Sequence, residues 1–217
     1  MKKKIILALL FIGPLGFFIF LSLGDVNFKP CEIFNTNIVE IATFKKDTTS
    51  FENHINIITF LGNKPEAKEV QLFNINQVVF KKLKKYKRFQ MISVHSDLDS
   101  LKIKSIQEKL AKTTDDKFFK WKFIYLDSLE ITKLYQSLKT LAPLDDRLAS
   151  NQAFIIDKNR NQRGRTDDDK IGEEVFAYDL SSINDLKNKL LVDTENVFYE
   201  QEVSTTSRKE RLGKNEE

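Results

Sequence analysis

The chain reads as an α/β protein: a sheet flanked by helices, preceded by an N-terminal transmembrane helix. Three observations predict this. Short, nearly continuous apolar runs such as "INIITF" (Ile55 to Phe60) and "FQMISVHS" (Phe89 to Ser96) have the character of strands covered on both faces. Longer segments repeat apolar residues at helical spacing, as in "SLKIKSIQEKLAK" (Ser100 to Lys112), with Leu101, Ile103, Ile106 and Leu110 inward. Residues 1–24 join Lys2, Lys3 and Lys4 to an uncharged run from Ile5 to Gly24. That length matches the ~20 apolar residues that cross a hydrocarbon core.

The elements come in order along the chain. The lysines hold the start of the chain in the cytoplasm, so the rest lies across the inner membrane, in the periplasm. The apolar run exceeds the ~7–15 residues of a signal-peptide core, and "FLSLGDV" offers no small-x-small cleavage site. A retained single-pass anchor is therefore favoured over a cleaved signal. Residues 25–52 form a juxtamembrane segment in which "NIVEIATF" (Asn37 to Phe44) alternates like a half-buried strand. The first core strand, Ile55 to Phe60, is punctuated by Gly62 and Asn63, and Pro65 suits a first helical turn.

Val70, Phe73, Val78, Phe80 and Leu83 then mark a helix from Glu66 to about Tyr86. After the second strand and the helix 100–112, "FKWKFIYL" (Phe119 to Leu126) alternates as a strand. "SLEITKLYQSLKTL" (Ser128 to Leu141) is the next helix, with Ser128 as N-cap. Ala153 to Arg165 forms a hairpin turning at Lys158 to Asn161, and Ser181 to Leu191 a last helix capped by Ser182 with Asp185. A βαβ unit followed by a ββα unit is the thioredoxin-like plan. The domain spans 53–203, and the charged tail 204–217 frays into solvent.

Net charge is +4, but 35 cationic residues are mixed with 31 acidic ones. That balance makes a soluble surface and excludes a nucleic-acid partner, which would need one clustered basic face. One cysteine, Cys31, excludes an intrachain disulfide and a multi-thiol metal site.

Three segments carry a family resemblance: "INIITFLGNKPEAKEV", "MISVHSDLDS" and "LASNQAFIIDKNRNQRGRTDDD". In order and pattern they resemble the Sco (SenC) copper chaperones, membrane-anchored thioredoxin-like proteins associated with cytochrome oxidase maturation. The stretch "RGRTDDDKIGEEVFAYDLSSINDL" is similar to Sco-like proteins of Bacteroidetes bacteria. The resemblance implies two cysteines after the first core strand and a histidine before a later one, which together bind copper or exchange electrons. Those positions hold Lys64, Lys68 and Ala149, with Pro65 kept between the lysines. An ammonium offers no lone pair at neutral pH, and soft thiolates are what select Cu(I). Thiol–disulfide exchange needs a thiolate and a partner sulfur. The expectation is a non-catalytic protein with no copper cofactor held in the family mode. It would act by contact with a protein partner, in the manner of oxidase assembly components. The expected contact surface is Gly62, Asn63, Lys64, Pro65 and Lys68, with the loop Asp145, Asp146, Arg147 onward to Asn151.

Two other readings stay open. Cys31 is a reactive thiol, or it is a small apolar residue packed where anchor meets domain. His54, before the first core strand, and His95, ending the second, meet at one edge as a metal site, or they are ordinary histidines. The acidic sets Asp97/Asp99 and Asp167/Asp168/Asp169 read as solvated turns, lacking calcium-loop spacing. The run "KKLKKYKR" (Lys81 to Arg88) reads by default as the charged C-terminal end of a helix; contact with anionic lipid headgroups is the alternative, a role best attested on the cytoplasmic side. No Gly-rich phosphate loop or Ser-His-Asp pattern points to another enzyme class.

Overall fold

Alternation within the strand β2 (Ile55–Gly62) sets the architecture. Ile55, Ile57 and Leu61 face one side of the sheet, Ile58 and Phe60 the other, and all are buried. A strand apolar on both faces belongs at the centre of a covered sheet. The protein, seen in a computed structural model, is described over residues 3, 10, 12–14, 16–18, 30–44, 49–114, 120–166 and 172–201. Its strands are β1 (Glu32–Asn35), β2, β3 (Phe89–His95), β4 (Trp121–Tyr125), β5 (Ala149–Ile156), β6 (Gln162–Gly164) and β7 (Tyr178–Asp179). The sheet order is β1-β6-β5-β2-β3-β4, with β7 pairing β5 beyond the end of β6. β2, β3 and β4 run parallel, while β5 opposes β2 and β6 opposes β5. This is the predicted βαβ and ββα plan, extended at both edges.

Helices cover the two faces unequally. The first, α1, begins as a 3₁₀ turn at Pro65–Lys68, continues through Glu69–Ile75 and a π turn at Asn76–Phe80, and ends at Lys81–Leu83. It packs on one face with α2 (Ser100–Thr114) and α4, which starts at Ile183–Asp185 and runs through a π turn at Leu186–Leu190 to a helical segment 191–201. Their Leu72, Val79, Leu110, Leu186 and Phe198 enclose Ile57, Met91 and Trp121 of the sheet. The π turn of α1 is tied by buried Asn76, whose amide donates to the Leu110 carbonyl (3.3 Å) and Thr113 Oγ1 (2.8 Å) of α2. The opposite face is covered by α3 (Ser128–Gln136) through Ile131, Leu134 and Tyr135, and by Ile38, Ile41 and Phe51.

Several expectations are corrected. The strand expected at 37–44 is instead a 3₁₀ turn at Ile41–Thr43, and the edge strand is the preceding β1. Ile38 and Ile41, both buried, repeat every third residue, and Asn37 has a positive φ of 56° that breaks any extension. Asp127, not Ser128, caps α3: its side chain accepts from Glu130 N (2.8 Å), and Glu130 accepts in return from Asp127 N (2.9 Å). Ser182 does cap α4, as expected, accepting from Asp185 N at 3.1 Å. Of the expected membrane anchor, residues 3, 10, 12–14 and 16–18 are helical and exposed. The rest of 1–24, residues 25–29 and the tail 204–217 lie outside the described residues. Among the described residues, no helix is long and apolar enough to cross a membrane.

The hairpin β5–β6 fastens both ends of the domain. Asp157 organises its turn by accepting from the backbone N–H of Asn159 and Asn161 (2.9 Å each). Arg163 then pairs with Asp157 (3.0 Å) and Glu200, and donates to the Cys31 carbonyl (2.6 Å). Arg165 pairs with Asp193 (2.7 Å), which also accepts from the Tyr178 hydroxyl (2.7 Å). Burial alone would lower the Arg163 pKa, but Glu200 and Asp157 outweigh it and the net direction is up. Between the arginines Gly164 is obligatory, because a Cβ there would sit 2.1 Å from the Val175 carbonyl oxygen. Arg163→Met, which leaves two carboxylates short of their cation, is expected to lower stability by about 3–5 kcal/mol in urea titration. Lys139→Met, at an exposed ion pair with Glu174, should change it by less than about 1 kcal/mol.

Candidate functional site

The junction after β2 is shaped by a slip in both its ladders. Register shifts fall between Phe60 and Gly62 against β3, and between Thr59 and Leu61 against β5. A bulge of this kind bends a strand and re-aims the turn beyond it. Gly62 has φ +67°, and a Cβ on it would lie 2.0 Å from the Arg147 carbonyl oxygen. Only glycine permits that approach. The same carbonyl accepts from Asn63 N (2.9 Å), so turn and loop are stitched together. Lys64 comes next in a non-helical conformation, and Pro65 opens the helix buried, with its missing N–H at a position where none is needed.

The facing loop is held by Asp145. Its carboxylate accepts from the N–H groups of Arg147 (2.9 Å) and Ala149 (2.8 Å), while its own N–H donates to the Ala149 carbonyl (3.0 Å). Leu148 takes a positive φ of 61° within this knot. Ala149 is buried and pairs with Leu61 in the ladder. Lys68 reaches across and donates from Nζ to Asn151 Oδ1 at 2.5 Å. The structure brings Gly62, Asn63, Lys64, Pro65 and Lys68 beside the loop of Asp145, Asp146, Arg147, Ala149 and Asn151.

A cleft of ≈ 450 Å³ opens between Lys68, the segment 141–152, Asp179 at the end of β7 and Asp185 in the first turn of α4. Tyr135 sits beneath it, donating to the Ala142 carbonyl (2.7 Å), and burial pushes its pKa up. A second depression of ≈ 440 Å³ lies on the other side of the Gly62 turn, between Asn63, Ser96, Tyr125, Asp127 and Asp146. The chemistry here is hydrogen bonding and charge. Among the described residues, no group of three His, Cys, Asp or Glu side chains is placed to hold a metal ion.

The two histidines do not meet. β2 and β3 are parallel, with Ile55 beside Phe89, so His54 lies at one end of the sheet and His95 at the other. The length of β3 at ~3.3 Å per residue separates them by about 20 Å. Each ring nitrogen Nδ1 instead faces a local carbonyl, Glu52 (3.0 Å) and Asp97 (3.1 Å) respectively. Asp97 and Asp99 are turn and helix-start acceptors: Asp97 takes the Asp99 N–H (2.9 Å) and Asp99 the Leu101 N–H (3.0 Å). The Asp99 N–H, with Lys102 beside it, holds the Asp97 carboxyl below the usual range. Residues 167–169 lie outside the described residues.

Cys31 is buried and its thiol is engaged. It is 5% exposed, and its Sγ donates to the Asp193 carbonyl at 3.4 Å. Burial pushes its pKa far up, and the carboxylates of Asp193 and Glu200 add to the effect. Cys31 packs against the Arg163, Asp193 and Glu200 network, while the anchor it was expected to meet lies outside the described residues. Sequence reasoning missed Asp145 as the organiser of the loop and the arginine network beside Cys31. Two arginines at i and i+2, alternating with glycine on a strand, were the available signal.

No family model matches the chain, and no curated protein matches it in sequence. Solved structures do. One is BsSco, described as a member of the Sco family of cytochrome c oxidase assembly proteins and the subject of a disulfide-switch study. It is 13% identical, over 78% of this chain and 98% of that one, with a TM-score of 0.47. Another is a SCO1/SenC family lipoprotein from Bacillus anthracis, 13% identical over 77% of this chain and 99% of that one, with a TM-score of 0.39. The chain is similar to these structures.

The thiol yields a pH prediction. The folded protein keeps the Cys31 proton where the unfolded thiol, with a pKa of 9.0, has lost it. Stability is therefore full below that value and falls as pH rises above it, by up to about 1.4 kcal/mol per pH unit for this group. Urea titrations across the alkaline range should show the fall, and Cys31→Ala should make it shallower, leaving the part due to the buried Tyr178 hydroxyl. Native protein should leave dithionitrobenzoate unreacted until denatured; fast reaction in the native state would contradict the packed reading.

Proposed function

We propose that this protein is a membrane-tethered, Sco-like accessory protein that works by contact, without copper or thiol chemistry, in the assembly of a respiratory oxidase. The observation that carries this reading is the junction of Gly62–Lys68 with the loop 145–151. A bulge, a turn and a tied loop meet where the sequence resemblance would put a thiol site, and there lysines stand at 64 and 68 and alanine at 149. Lys68 spends its ammonium on Asn151, which closes the turn onto the loop. A surface held this firmly loses little conformational freedom when a partner docks. The oxidase context comes from the sequence resemblance to the Sco family, and the tether from the apolar run 5–24.

A photo-crosslinking side chain at position 63 tests the contact. In native membranes it should capture an oxidase subunit or a copper-handling protein, and the same group at Asn159 on the far end of the domain should not. Recovery of no such protein from position 63 would overturn the reading. The chemical half is tested by Cu(I) competition with a chelator. The native chain should take up no stoichiometric copper, and a Lys64→Cys, Lys68→Cys, Ala149→His variant should gain it. Tight uptake by the native chain would contradict the loss of ligands.

A further inference from the structure

The described charges are sorted between the two ends of the sheet. α1 and α2 both finish at the end where β2 and β3 begin, and there Lys82, Lys85, Lys87, Arg88 and Lys112 are exposed. The residues 81–88 hold six cations and no acid. Contacts draw the segments into one patch. Lys84 Nζ donates to the Thr114 carbonyl of α2 (3.1 Å), and Lys120 Nζ to the carbonyls of Lys84 (2.8 Å) and Tyr86 (2.7 Å).

Capping of helix ends accounts for Lys84 and Lys120. It does not account for the five exposed cations, none of which pairs with a carboxylate among the described residues. Two acids towards that end are engaged elsewhere: Glu52 with Arg160 (3.4 Å) and Glu200 with Arg163. Tyr86 stacks on Phe198 at 4.5 Å beside the patch, and Tyr199 is 48% exposed next to it in sequence. Tyrosine and lysine together suit a boundary between water and lipid headgroups.

The other end has the opposite sign. Glu66, Asp97, Asp127, Glu130, Asp145 and Asp146 stand at the helix starts and the loop around the Gly62 turn. The cations there, Lys64, Lys68, Lys102 and Arg147, are fewer than these acids. A domain so polarised has a preferred orientation in the field of a charged plane.

We infer that the lysine-rich end, Lys82 to Arg88 with Lys112, rests on an anionic lipid bilayer, holding the Gly62–Lys68 and 145–151 face away from it. The inference rests on the tether proposed above. It adds to that reading the direction in which the contact face points. Each exposed cation near an anionic surface strengthens attraction by about fivefold, and the effect fades beyond a Debye length.

The test uses the full chain with a fluorophore on a single introduced cysteine, Asn159→Cys at the basic end or Asn63→Cys at the acidic end. Cys31 is buried and stays unlabelled. The protein is reconstituted in phosphatidylcholine vesicles with or without phosphatidylglycerol, doped with an acceptor-labelled lipid. With phosphatidylglycerol, energy transfer should be greater from 159 than from 63. High salt, omission of phosphatidylglycerol, or the variant Lys82→Gln, Lys85→Gln, Lys87→Gln, Arg88→Gln should each abolish the difference. Equal transfer from both sites, greater transfer from 63, or a difference indifferent to the four substitutions would overturn the inference. Failure to float with phosphatidylcholine alone would refute the tether instead. In that event salt-sensitive flotation with phosphatidylglycerol vesicles, lost in the four-fold variant, would still support the patch, and its absence would overturn it.

Discussion

Two arginines on a three-residue strand and the residue just after it hold the domain's ends to its sheet. Arg163 and Arg165 lie two apart along β6, so both side chains leave the same face. The carboxylates they meet, Asp193 and Glu200, lie seven apart on α4 and share one face of that helix. The two spacings match only when helix and strand are in one register. A packed apolar contact would tolerate a slip of one turn; this pairing would leave a buried charge alone and does not. Ion pairs of this kind add little net stability after desolvation, and their use is to specify one arrangement. Cys31 hangs its carbonyl on the same guanidinium, so the chain arriving from its N-terminal segment is fixed by the same residues as the last helix.

That constraint reaches the candidate site through β5. The hairpin locked by Arg163 and Asp157 sets the position of β5, and the far end of β5 carries Ala149 and the loop tied by Asp145. Gly62 must then accept the Arg147 carbonyl where a side chain would otherwise stand. Site geometry here is a consequence of strand register rather than of any bound group. A turn whose shape depends on backbone packing is insensitive to the side chains it carries, which is why lysine at 64 and 68 is compatible with it.

Much of this was legible in the sequence. β2, β3, β5 and the helices announced themselves because burial on two faces and helical spacing leave strong periodic traces. The junction at Gly62 to Lys68 was legible because glycine, proline and a strand end coincide there. The features that escaped were polar. Asp145 and Asp157 organise loops by accepting backbone N–H groups, and nothing in their flanking residues separates them from the many exposed aspartates nearby. The edge strand β1 escaped because only four residues pair, and the apolar residues at 38 and 41 mimic alternation while keeping to a turn of three. The expectation that His54 and His95 meet conflicts with the βαβ unit read from the same sequence, which already makes their two strands parallel. Once β2 and β3 run the same way, a residue before one and a residue ending the other are at opposite ends.

The charge sorting stems from the same parallel arrangement. When strands run parallel and helices return between them, helix starts gather at one end of the sheet and helix finishes at the other. Acidic residues favour the first and basic residues the second, because each opposes the local helix dipole. The polarity of the domain is thus partly a by-product of topology. Topology explains a cation or two at each helix finish, however, not six in eight consecutive residues with four left exposed. Self-repulsion among them costs stability unless an opposing surface answers it, and that excess is what distinguishes a docking patch from a capped helix.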